Sequence, residues 1–207
     1  MIPRAQKATA VVVLAAVYGL AGCSADAPAT SADPQAPPGI SLPADPLTPL
    51  VPAPGEVPAG MVPLLTSTGK RDVAAVAAYS ADPAAAVRAL SAHGFQSAYV
   101  AQYADPNGAQ VLSVVVTRFA DAAGAEADLT GDMSASAGER LELAQLGEVS
   151  QARRQALPEA SGGELVTLRF RQGRTTWLLA YGDQPRADPQ VAVALGRLLV
   201  DRAEAAT

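Results

Sequence analysis

The sequence predicts an α+β fold, a two-layer domain in which an antiparallel sheet built from two hairpins carries helices packed on it. Two hairpin signals and two Asp-Pro helix starts carry that expectation. Phe95 to Ala104 and Ala109 to Phe119 are rich in Tyr, Val and Phe, and Asp105-Pro106-Asn107-Gly108 joins them. Proline presets φ in such a turn, and Asn and Gly accept positive φ. Glu164 to Arg171 and Arg174 to Gly182 flank Gln172-Gly173, and Val166, Leu168 and Phe170 alternate with Thr167, Arg169 and Arg171. That alternation gives one buried and one wetted face. Asp82-Pro83 and Asp188-Pro189 each place a capping carboxylate before a proline at the first helical position, where the missing N–H is harmless.

In chain order, Arg4 and Lys7 precede an uncharged stretch from Ala8 to Leu20, the charged and apolar regions of an export signal. The apolar run up to Ser24 is interrupted at Tyr18, Gly19 and Gly22 and falls short of the ~20 apolar residues a membrane-spanning helix needs. Residues 1–22 are therefore read as a signal peptide. Residues 23–63 hold eleven of the 17 prolines and no aromatic residue, which predicts a Pro/Ala-rich disordered linker. The other eight aromatic residues follow Leu64, so residues 64–207 are read as one domain, long enough to bury a core.

Within it, Val73, Val76 and Tyr79 fit a helix over Asp72 to Ser80, while a strand feeding the Asp82-Pro83 helix suits the topology better. That helix runs to His93, with Gly94 suited to the left-handed position that ends it. Asp121 caps a third helix. Residues 131–163 are mostly polar or small and predict an irregular excursion with one short strand. In the second hairpin Trp177, Leu179 and Tyr181 share one face and Thr176, Leu178 and Ala180 the other, so the strand is central and Trp177 buried. The last helix carries Val191, Leu195, Leu198 and Leu199 on one face, with Arg197, Asp201 and Arg202 largely elsewhere. Hairpin-then-helix thus occurs twice.

Cys23 is the chain's only cysteine, and it closes Leu20-Ala21-Gly22-Cys23. This small-small-Cys ending resembles the lipobox of bacterial lipoproteins. The resemblance implies cleavage between Gly22 and Cys23, lipid on Cys23, and a lasting anchor, because two or more acyl chains hold a protein stably where one does not. No second cysteine exists to make a disulfide. The formal charge of −5 becomes −7 when Arg4 and Lys7 leave with the signal. Such a balance argues against nucleic-acid binding and against attraction to anionic lipid.

Arginine outnumbers lysine 13 to 2, a bias of high-GC genomes. Together with the lipobox and the proline-rich segment, the stretch Val116 to Ala125, Leu146-Gly147-Glu148 and the Arg169-Phe170-Arg171-Gln172-Gly173 hairpin before a final Asp-Arg helix resemble uncharacterised actinobacterial extracytoplasmic lipoproteins. The likeness spans most of residues 72–204 and implies a sheet-and-helix domain reminiscent of the PsbP/Mog1 type.

Catalytic motifs are sparse. His93 is the sole histidine and no Gly-x-Ser-x-Gly elbow accompanies it, so it is read as a helix-terminal residue that favours the dipole. It has no second histidine or thiol with which to hold zinc. Ser67-Thr68-Gly69-Lys70 matches Ser-x-x-Lys, but Gly69 and the adjoining linker favour a loop. A phosphate-binding loop would need glycine where Leu64 stands. Glu139, Glu142, Glu148 and Glu159 lack the spacing of a calcium loop. Arg153-Arg154 are suited to an anionic group. The better polar candidate is Arg169, Arg171 and Arg174 on the wetted face of the second hairpin, with Trp177 at its centre and cross-strand acids such as Glu164 as the competing partners.

No enzyme activity, cofactor or metal is expected. The expected role is that of a lipid-anchored cell-envelope lipoprotein on the extracytoplasmic face, a binding, sensing or accessory module. Its expected partners are the membrane, through lipid at Cys23, and an envelope protein or lipid ligand. The alternatives are an envelope lipid carrier with an apolar cavity lined by Tyr99, Phe119, Trp177 and Tyr181, or a hydrolase.

Overall fold

The computed structural model describes residues 40–80, 82–135, 138–158 and 162–205. Its eight strands are β1 Val62–Pro63, β2 Gly69–Arg71, β3 Phe95–Ala104, β4 Val111–Phe119, β5 Glu139–Leu141, β6 Val149–Ala156, β7 Glu164–Gln172 and β8 Thr175–Asp183. They form one sheet in the order β1-β3-β4-β8-β7-β6-β5, with β2 also on the outer edge of β3. Every pairing is antiparallel. Both predicted hairpins form, and β4 against β8 joins them, with Val116 opposite Trp177. In the first turn Gly108 N–H donates to Asp105 O at 3.1 Å and Gln110 N–H to Asp105 Oδ1 at 2.7 Å.

The helices are α1 Val73–Ala77, α2 Pro83–Ala92, α3 Ala122–Ala135 and α4 Pro189–Ala205. Asp82, Asp121 and Asp188 cap their helices as expected, and Asp72 caps α1: the carboxylates of Asp72, Asp82, Asp121 and Asp188 accept from Ala75, Ala85, Gly124 and Gln190 N–H. The cap at Asp72 also decides the ambiguous stretch. It is a short helix, not the strand the topology favoured, and Val73 and Val76 pack with Ala77, Leu90, Phe95 and Phe119.

One sheet face carries the main core. Tyr99, Ala101 and Tyr103 of β3, Leu112, Val114 and Val116 of β4, Trp177, Leu179 and Tyr181 of β8, and Val166, Leu168 and Phe170 of β7 meet Ala192, Leu195 and Leu199 of α4. Phe170 and Trp177 stack with centroids 5.0 Å apart. At Gly196 a side chain would meet Leu146 at 2.7 Å and Leu168 at 2.9 Å, so glycine sets how closely α4 approaches the sheet.

The expected linker is corrected over its second half. Residues 40–63 lie against the domain, and Leu47, Leu50, Val51 and Met61 belong to the main core. The domain's own polar groups hold the backbone there. Tyr99 hydroxyl donates to Pro43 O at 3.0 Å, Tyr103 hydroxyl to Pro52 O, Trp177 Nε1 to Leu50 O at 2.9 Å and Arg202 Nη1 to Val51 O at 3.1 Å. Arg202 also pairs with Glu56. Prolines lack N–H groups but keep their carbonyls, so a proline-rich strap is an acceptor surface for side-chain donors. Residues 131–163 are corrected too, because β6 is a full eight-residue strand between β5 and β7.

Candidate functional site

Strand alternation sends the residues between the core positions to the opposite face, and register lines them into two rows. One row runs Gln102, Ser113, Ala180, Thr167, Arg153 and Arg140 from β3 to β5. The next runs Val100, Val115, Leu178, Arg169 and Gln151. Apolar groups close both ends of this face. Leu64 and Leu157 pack on Ala104, Val111, Leu165 and Ala180 at one end, and α1, α2 and α3 gather around Phe119 at the other. Gly124 lets α3 come in, since a side chain there would meet His93 O at 1.9 Å. Between the two ends lies a half-buried valley floored by Ser113, Val115, Thr167 and Leu178.

In these rows Gln102 Oε1, Ser113 Oγ, Gln151 Oε1 and Arg153 Nε are shielded from solvent and have no hydrogen-bond partner among the described residues. Each such atom costs about 1–3 kcal/mol when left unsatisfied. Their grouping on one face is what sequence reasoning missed, because it depends on register across five strands and no local motif encodes it.

The predicted arginine cluster is not assembled as expected. Trp177 is buried on the core face and does not join the arginines. Arg174 is exposed at the β7–β8 turn. Arg171 is buried, pairs with Glu148 and with Glu126 at 3.8 Å, and donates to Gly173 O, so it is a structural tie between the sheet, the Glu148 loop and α3. Arg169 lies on the valley face, where it has a partner of its own. Adjacent strand residues point to opposite faces, which separates Arg153 and Arg154. Arg153 joins the valley row, while Arg154 turns to Glu164, 3.5 Å away, with Arg186 on the same carboxylate at 3.7 Å.

The catalytic candidates stay apart. His93 caps the end of α2 with Nδ1 4.0 Å from Asp128 Oδ1, beyond hydrogen-bond reach. Ser67 offers its carbonyl to Arg71 Nη2 at 2.6 Å, and Lys70 is exposed on β2. Glu148 is spent on Arg171, and Glu142 lies 3.6 Å from Arg140. Among the described residues no group of three or more His, Cys, Asp or Glu side chains is placed to hold a metal ion. Gly22, Cys23 and Glu159 lie outside the described residues.

Tyr99, Phe119, Trp177 and Tyr181, the expected cavity lining, are all core residues filled in by α4, the strap or the neighbouring helices. Burial raises the phenol pKa values of Tyr99, Tyr103 and Tyr181, and for Tyr181 the hydrogen bond to Asp183 adds to the rise. A separate open groove of about 820 Å³ lies along the strap and the end of α4, with Leu42, Leu50, Val51, Pro54 and Ala205 among its lining.

No protein-family model and no curated protein matches the chain. Among solved structures, the extracellular domain of PknH from Mycobacterium tuberculosis is similar at 11% identity, with a TM-score of 0.46, over 56% of this chain and 69% of that one. A likeness of that degree transfers nothing to the valley or its residues. Among the described residues no helix is long and apolar enough to cross a membrane.

Chemically, the valley offers hydroxyl, amide and guanidinium groups on a rigid sheet, with apolar patches at Val115 and Leu178. A nucleophile held by an oriented base, the arrangement a hydrolase needs, is not what the named candidates form.

Proposed function

We propose that this chain is a lipid-anchored lipoprotein of the cell envelope, acylated at Cys23, whose domain acts on the extracytoplasmic face as a binding or accessory module. Leu20-Ala21-Gly22-Cys23 after a charged and then apolar leader supports the anchor. The observation that carries the binding role is the set of partnerless polar atoms of Gln102, Ser113, Gln151 and Arg153 on one sheet face. They cost stability, and a ligand or partner would satisfy them. Fractionation of cells expressing the full chain and its Cys23→Ser variant tests the anchor. The variant should leave the membrane fraction. Retention at the wild-type level, with no lipid on the native protein, would overturn the anchoring.

The apolar groove beside the strap favours a second reading, an envelope lipid carrier. Lipid that copurifies with the Cys23→Ser chain in a fixed ratio would support it.

A further inference from the structure

We propose that Arg140 and Arg153, with Arg169 beside them, form a site for a phosphoryl group on the valley face of β5, β6 and β7. The proposal rests on the reading of that face as the binding surface.

Arg140 and Arg153 are direct cross-strand partners in an antiparallel pair. Such residues share a face with Cβ atoms about 4.5–5.5 Å apart, and like charges placed there are destabilising. Among the described residues Arg154 and Arg186 have Glu164, Arg171 has Glu148 and Glu126, and Arg202 has Glu56, whereas Arg71 donates to the carbonyls of Ser67 and Lys70. Arg153 has no carboxylate partner among the described residues. Its Nη1 donates to Gly138 O at 2.9 Å, and its Nε is shielded with nothing to bond. Arg140 has Glu142 at 3.6 Å, but those side chains are 65% and 91% exposed, a solvated pair of small worth. The β5–β6 edge thus sets the guanidinium groups of Arg140 and Arg153 beside one solvated carboxylate, Glu142, while Glu139 lies opposite Arg154.

Arg169 sits diagonally from Arg153, one strand over, about 7–8 Å away and within reach of long side chains. It keeps its own partner, so the site stands on the first two arginines. Thr167, opposite Arg153, adds a hydroxyl donor. Guanidinium forks bind carboxylate and phosphate alike. Two forks side by side on neighbouring strands present donors from more than one direction. A tetrahedral phosphoryl group, whose free oxygens point in different directions, uses them better than a planar carboxylate does. The phosphoryl group could belong to an anionic phospholipid at the membrane or to a soluble phosphorylated compound.

Thermal unfolding of the full chain in phosphate, against chloride of equal ionic strength, tests the proposal. Wild type should gain about 2–4 °C once phosphate stands at several times its Kd. Arg140→Gln and Arg153→Gln should unfold in chloride at or above the wild-type midpoint, because each relieves the like-charge pair, and both should lose the gain in phosphate. Flotation of the Cys23→Ser chain separates the sources. Recovery with phosphatidylglycerol vesicles but not phosphatidylcholine vesicles assigns a lipid headgroup, and a phosphate gain without flotation assigns a soluble compound. The absence of both a gain and flotation overturns the proposal, as does a gain that both arginine variants retain. A chain that is acylated but indifferent to phosphate fails this proposal alone, whereas one that binds phosphate without acylation fails the anchoring alone.

Discussion

Tyr103 spends its hydroxyl on the carbonyl of Pro52, fifty-one residues away in the chain, and Tyr99 and Trp177 do the same for Pro43 and Leu50. These aromatic residues were legible from sequence as sheet residues, and Trp177 as a buried one. Their polar ends were not, because the partners are proline-flanked carbonyls without a motif. The arrangement predicts a pH dependence. Burial raises the phenol pKa of Tyr103 above its ordinary 10.0, and those of Tyr99 and Tyr181 likewise. A folded-state pKa above the unfolded value favours the neutral phenol, so the stability it brings is complete below about pH 10 and is lost as pH rises beyond that. Unfolding midpoints should therefore fall with pH above about 10. Tyr103→Phe should show a shallower fall, and it should lose about 1–2 kcal/mol at neutral pH because Pro52 O loses its donor. An unchanged slope in the variant would contradict the account of Tyr103.

At the scale of elements, the strap is the sharpest test of how the fold is held. Leu47, Leu50, Val51 and Met61 are core residues, and burial of each large apolar side chain contributes about 1.5–3 kcal/mol. Domains of this size have only about 5–15 kcal/mol in total. A chain beginning at residue 64 should therefore lack a cooperative thermal transition, whereas one beginning at residue 40 should melt like the full chain. Equal midpoints for the two would show that the strap adds nothing. Sequence reasoning placed the boundary too late because the prolines from Pro43 to Pro63 break both the two-residue and the 3.6-residue periods, and periodicity is the main signal of structure. The apolar residues were present but followed no period. Strand β6 escaped for a related reason. It carries Arg153 and Arg154 on opposite faces, and Ala152 is its one buried apolar residue, so it shows no hydrophobic alternation. The two hairpins and the helices capped by Asp82, Asp121 and Asp188 were legible because their signals are local. The valley was legible only in fragments, as Arg169 and as Arg153-Arg154, since register across strands brings its members together.

For the whole molecule, the corrected boundary shortens the tether. If Cys23 is the mature first residue, residues 23–39 stand between lipid and packed chain, a contour of at most about 60 Å. A module on so short a lead works near its membrane, and the net negative charge keeps the bulk of its surface from adhering to anionic lipid. The arginine-lined edge of the sheet is then the local exception through which a phosphoryl group is met. All of this depends on acylation at Cys23. The most direct measurement is the mass of the N-terminal peptide from the protein purified out of membranes. The account predicts a chain that starts at Cys23, lacks residues 1–22 and carries a diacylglyceryl group on the thiol. A chain that retains Met1 to Gly22 with a free Cys23 thiol, or one cleaved elsewhere and released without lipid, would contradict it.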